Sequence, residues 1–103
     1  MNINKTEKYI QDILEYNKIH MLTGFNTKEE IQKNLLNDSI TAFAKIDLDN
    51  KKVLDIGTGC GIPGIPLKLN KPNIELTLLE TKERRVKFLK QVNEYIDFDL
   101  IHN

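Results

Sequence analysis

The chain has 103 residues, enough for one small domain. Apolar residues make up 40% and charged residues 29%, an ordinary water-soluble composition, and fifteen basic side chains balance fifteen acidic ones. That neutrality excludes a global pull toward nucleic acid; one cysteine excludes an internal disulfide and a cysteine-based zinc site; and no apolar run approaches the ~20 residues of a membrane-spanning helix.

A polar start after Met1 predicts no signal peptide, and a single thiol suits a reducing compartment, so a cytoplasmic location is expected. Residues 5–20 place Tyr9, Ile10, Ile13 and Leu14 at helical spacing, with Asn4 as N-cap and Glu7 in the capping-box position. Gly24 is the expected stop. Thr27-Lys28-Glu29-Glu30 reads as a second capping box, followed by Ile31, Leu35 and Leu36. Ile40, Phe43 and Ala44 suggest a further helical stretch, and Asp47-Leu48-Asp49-Asn50 a turn.

The pattern changes at residue 51. Val53–Ile56 is a candidate strand, and a short helix is expected from Pro63 to Leu69. A turn at 70–73 precedes a second strand over 74–79, whose apolar run suits a parallel strand covered on both faces. Thr81 is the expected cap of a helix over 82–96 with Val86, Leu89, Val92 and Ile96 inward, and 98–101 is a third strand. The expected class is α/β. An N-terminal helical segment (1–50) precedes the first β-α-β-α-β half of a Rossmann-like sheet (51–103), with right-handed crossovers.

The candidate chemistry sits in Asp55-Ile56-Gly57-Thr58-Gly59-Cys60-Gly61. Alternating glycines after a strand and before a helix let a ligand approach the backbone closely. Gly59, Gly61 and Gly64 fit the dinucleotide spacing, and Glu80 lies 21 residues after Gly59, where an acid can hold ribose hydroxyls. Spacing alone therefore leaves NAD and S-adenosylmethionine both open. Asp55 and Gly57 favour the second, because a carboxylate at the strand end suits the amino group of a methionine moiety. A P-loop is excluded, since no Lys-Ser or Lys-Thr follows the glycines. The plainer readings are a glycine turn with no ligand and, for Glu80, an acid favoured by a helix N-terminus.

Cys60 has no base near it in sequence and reads as a small loop residue, while His20 and His102 lack ligand spacing and read as surface groups. Lys82, Arg84, Arg85, Lys87 and Lys90 against Glu83 give the third-strand crossover a local charge of +4. This is either a phosphate-contacting patch for RNA, with Arg84 and Arg85 nearest the site, or a solvated helix face.

The run Val53 to Leu67, with Pro63-Gly64-Ile65-Pro66 directly after the glycines, resembles the cofactor loop of the small-subunit ribosomal RNA methyltransferase G family, also called glucose-inhibited division protein B. Leu78-Leu79-Glu80 and Arg84-Arg85-Val86-Lys87-Phe88-Leu89 resemble its second strand and following helix. Tyr16-Asn17-Lys18 with Leu22-Thr23, and Asp38-Ser39, resemble its N-terminal signatures. Tyr16 stands where that family has Trp and Met21 where it has Asn, and the usual His before the Asp-Ser pair is absent, with Leu35 nearest.

The resemblance implies an S-adenosylmethionine-dependent enzyme that methylates N7 of guanine 527 in 16S ribosomal RNA. It implies cofactor contacts from Gly57 and Ile62, with Asp55, Gly59, Gly61 and Glu80 around them, and no catalytic side chain, because guanine N7 is already an unprotonated lone pair. It also implies a longer chain, continuing past the third strand into a segment that reaches the adenine. A chain of this length alone is expected to bind and turn over weakly, and to self-associate through an open first strand. A non-catalytic α/β interaction module and an NAD-dependent oxidoreductase fragment remain the alternatives.

Overall fold

The computed structural model describes residues 3–103. Helix α1 (Ile3–Asn17) turns Tyr9, Ile10 and Ile13 into the core at helical spacing. It already contains Asn4, so Asn4 is not its cap, and it ends at Asn17 rather than at residue 20. The Asn17 amide supplies the reason. Its Oδ1 accepts from the Leu22 and Thr23 N–H groups, and its Nδ2 donates to the Thr23 and Phe25 carbonyls and to Asn26. One side chain thus organises the loop that the sequence marks only by Gly24.

Thr27 caps the next helical stretch as expected, accepting from the Glu30 N–H at 3.1 Å. Glu30 reaches back to the Asn26 N–H and the Thr27 hydroxyl. The stretch runs through α2 (Lys28–Ile31), a π-helical segment (Gln32–Asn37) and α3 (Asp38–Ala42). The wider π turn brings Ile31 and Leu36, five residues apart, to the same buried side. Phe43 and Ala44 fall just past the helix end.

Strands β1 (Lys52–Ile56), β2 (Glu75–Glu80) and β3 (Asp99–His102) form a parallel sheet in the order β1-β2-β3, with Asp55 opposite Leu78 and Glu80 opposite His102. β2 and β3 each lie one residue later than the sequence predicts. Helices α4 (Gly64–Asn70) and α5 (Glu83–Val92) make the crossovers. α5 stops at Val92 rather than 96; Ile96 and Phe98 stay buried through the turn that follows.

The sheet is covered on one face only. Val53, Leu76, Leu78 and Leu100 pack into the core with Ile65, Phe88 and Leu89, and the N-terminal Tyr9, Ile13, Ile31 and Leu36 join the same cluster. On the other face Leu54 (55% exposed), Ile56 (70%) and Ile101 (46%) meet solvent, and Leu79 is half-buried. The expectation of a second strand covered on both faces is therefore corrected. Both crossovers run the same way along the sheet, and residues of α4 and α5 join the one core cluster on its covered face.

Candidate functional site

The turn after β1 takes a path that only glycine follows easily. Gly57, Gly59 and Gly61 have φ of 67°, 65° and 100°. The Gly57 and Thr58 N–H groups donate to the Leu79 carbonyl, fastening the turn to β2, and the Gly61 and Ile62 N–H groups donate to the Thr58 carbonyl. The glycines then divide by environment. A side chain at Gly61 would collide with Ile65, and one at Gly64 would meet Leu78, Asp55 and Leu76. At Gly57 and Gly59 nothing stands within 4 Å of the missing Cβ. Two glycines serve packing, and two keep a surface bare.

Asp55 lies under this turn. Its Oδ2 accepts from the Thr58 hydroxyl at 2.7 Å and from the Gly64 N–H at 3.0 Å. It therefore caps α4, a duty that sequence reading did not assign to it. Both bonds fall on one oxygen, and no donor among the described residues falls on Oδ1. Burial raises the carboxyl above its ordinary value, and the two hydrogen bonds offset that only in part.

Glu80 is 2% exposed and fully engaged. Its Oε1 accepts from the Gly59 N–H at 2.7 Å, and its Oε2 from the Thr81 and Lys82 N–H groups at 3.0 Å each. Burial pushes the carboxyl up; the three N–H donors and the nearby Arg85 charge outweigh it, holding the group below the usual carboxylate range. Thr81 is not the cap of α5. Lys82 occupies that position with no side-chain cap bond, and its own N–H donates to the Glu80 carboxylate.

The structure thus brings Asp55, Gly57, Gly59, Gly61, Ile62 and Glu80 together, with Ile62 half-buried against the core. The two arginines separate. Arg85 is half-buried and close enough to lower the Glu80 and Cys60 pKa values, while Arg84 is exposed with Lys82, Lys87 and Lys90. Cys60 is buried and its thiol is pushed up to about 11 by that burial, which makes it inert at neutral pH, as its loop position suggested. His20 is half-buried with its ring 5.7 Å from that of Tyr16, not a free surface group. A depression of about 500 Å³ lined by Lys52, Lys68, Glu75 and Asp99 lies at the opposite, N-terminal end of the strands, away from these residues.

Sequence reasoning places Tyr9 on a core stripe, Tyr16 in a family signature and Thr58 in the glycine run, but assigns none of them a contact at the site. Tyr9 donates to the Cys60 carbonyl at 2.7 Å and Tyr16 to the Arg84 carbonyl at 3.0 Å. Their one available signal is that a tyrosine on a buried stripe needs a partner for its hydroxyl.

A bare glycine turn over an engaged carboxylate pair, at the C-terminal ends of parallel strands, is where this architecture binds nucleotides. A family model for rRNA small subunit methyltransferase G matches residues 2–102. The chain belongs to this family. Among its relatives, a protein of Mycoplasma pneumoniae named ribosomal RNA small subunit methyltransferase G is 38% identical over 102 residues, covering 96% of this chain and 53% of the relative. Proteins of the same name from Ureaplasma parvum and Aquifex aeolicus are 41% and 36% identical, covering 82% and 88% of this chain and 41% and 49% of their own length. The chain spans about half the length of the curated relatives it matches. Among the described residues, no helix is long and apolar enough to cross a membrane.

Proposed function

We propose that this chain carries the S-adenosylmethionine site of a cytoplasmic methyltransferase acting on 16S ribosomal RNA at N7 of guanine 527. The bare surface at Gly57 and Gly59 is the observation that supports this reading most. Left-handed glycines whose missing side chains would meet nothing leave room for a guest against the backbone. In this reading Asp55 offers its donor-free Oδ1 to the amino group of the methionine moiety. Glu80 is kept ionised by its three N–H donors, so it can only accept, which suits ribose hydroxyls. Gly61 and Ile62 shape the wall behind them, and Arg84 and Arg85 meet RNA phosphates.

Bound there, the sulfonium supplies an already activated methyl group. The side chains bind and orient, and none serves as a base, because N7 carries no proton to remove. Residues 51–103 hold the nucleoside and residues 1–50 support them.

The 103-residue polypeptide alone binds weakly, with a dissociation constant on the order of hundreds of micromolar. Thermal unfolding tests the site. S-adenosylhomocysteine at about tenfold excess over that constant should raise the melting temperature by roughly 6 °C, and NADH should leave it unchanged. A shift with NADH alone would favour the oxidoreductase alternative, and no shift with either compound would contradict a nucleotide site.

A second observation favours self-association. β1 has no strand on its outer edge among the described residues, and its Leu54 and Ile56 are exposed beside that edge. We propose that a second copy of the chain pairs there. Light scattering should show a mass that rises with concentration; a constant monomer would overturn the idea.

A further inference from the structure

Helix α1 touches the glycine turn and the start of α5, the two segments that flank the candidate site. Tyr9 is wholly buried, and its hydroxyl donates to the Cys60 carbonyl inside the glycine turn. Tyr16, seven residues or about 10 Å further along the same helix, donates to the Arg84 carbonyl in the first turn of α5. Both rings pack on Phe88 of α5, at 6.5 and 5.4 Å between centroids. The Glu80 carboxylate at the end of β2 bridges the two gripped segments, accepting from the Gly59 N–H of the turn and from the Lys82 N–H at the N-cap of α5.

Each contact is made by a neutral hydroxyl to a backbone carbonyl, so neither depends on what side chain stands at position 60 or 84. Burial holds the Tyr9 phenol far above its ordinary value, so it remains a donor at any working pH. A third tyrosine makes the contrast. Tyr95 joins α1 through Asp12 at 2.6 Å, with the same kind of hydroxyl, but its bond reaches neither the glycine turn nor the first turn of α5.

We propose that Tyr9 and Tyr16 are positioning residues: α1 is a brace that sets the spacing between the glycine turn and the start of α5, and so presets the gap into which a methionine-bearing nucleoside fits. The role rests on the cofactor reading of the site. It predicts that the N-terminal helix governs affinity without touching the ligand, by holding two loops that would otherwise move independently.

Tyr9→Phe, Tyr16→Phe and Tyr95→Phe, each losing one hydroxyl, test this in isotope-labelled protein by amide hydrogen exchange without ligand and by titration with S-adenosylhomocysteine. In Tyr9→Phe, the Gly59, Gly61 and Ile62 amides should exchange about tenfold faster, and binding should weaken five- to tenfold. In Tyr16→Phe, exchange should rise over residues 84–88 and binding should weaken about threefold. Tyr95→Phe should lower the melting temperature about as much as Tyr9→Phe does, since each loses one hydroxyl bond, yet leave binding within twofold. Turn exchange unchanged in Tyr9→Phe, or binding weakened as much by Tyr95→Phe, overturns the brace alone. Absence of binding by the wild-type protein overturns the cofactor reading and the positioning role with it.

Discussion

Asp55 and Glu80 close neighbouring parallel strands and leave the sheet on the same face, yet their acidities move in opposite directions. Asp55 receives one backbone N–H and one hydroxyl, both on a single oxygen, and burial wins. Glu80 receives three backbone N–H groups spread over both oxygens, with Arg85 nearby, and hydrogen bonding wins. Burial raises both groups; the donors, together with the neighbouring charge (Arg85 lowering Glu80, Glu80 raising Asp55), decide the sign. The difference assigns roles. Glu80 is a fixed anion that ties the glycine turn to the start of α5, and Asp55 is an α4 cap with one oxygen to spare.

The largest effect should come from Glu80→Gln. A single amide oxygen cannot serve three N–H donors, so about 3 kcal/mol of stability should be lost, a fall of roughly 15 °C in melting temperature. Glu80 is more acidic folded than unfolded. Its contribution is therefore complete above the unfolded value near 4.5 and is lost as pH falls through the lower folded value. Denaturant titrations should show the gap between wild type and variant widening as pH rises from 3 to 5. A constant gap would mean that Glu80 is held no lower than an ordinary carboxylate.

Asp55→Asn keeps an acceptor for Thr58 and Gly64 and should cost less, about 1 kcal/mol. Its pH dependence runs the other way. Asp55 is less acidic folded, so its contribution is complete below the unfolded value near 3.8 and is lost as pH rises through the higher folded value. The same titrations should show this gap narrowing with rising pH. If both gaps moved in parallel, the contrast between the two carboxylates would be broken.

The smallest effect is the sharpest. Thr58→Val removes the hydroxyl donor from Asp55 and leaves the backbone in place, costing somewhat under 1 kcal/mol. Carbon-detected NMR titration should then place the Asp55 midpoint higher still and leave that of Glu80 unmoved. A shift at Glu80 instead would show that the two groups are not set by their own donors.

Much of this arrangement is legible in the residues, for identifiable reasons. The β-α-β-α-β order follows from apolar runs punctuated by the glycines at 57–64 and the turn around Pro72, and Thr27-x-x-Glu30 marks a helix start by a local rule. Strand ends slip by one residue because pairing register, not composition, sets them. The Thr81 cap fails because α5 begins one residue later, with Lys82 at the cap position, and the Thr81 and Lys82 N–H groups are both held by Glu80. The Tyr9 and Tyr16 contacts reach carbonyls 51 and 68 residues away, and no local spacing rule encodes such a partner. Position 55 shows both sides. Its acid is visible as a strand-end charge, but its bond to Gly64 depends on α4 folding back over the sheet.

The central claim is that the bare surface at Gly57 and Gly59 receives a nucleoside whose ribose meets Glu80. Amide chemical-shift mapping with S-adenosylhomocysteine tests it most directly. Saturating shifts concentrated at Gly57, Gly59, Gly61 and the Glu80–Lys82 segment are the predicted result. Shifts confined to the Lys52, Glu75 and Asp99 end of the sheet, or none at millimolar ligand, would contradict it.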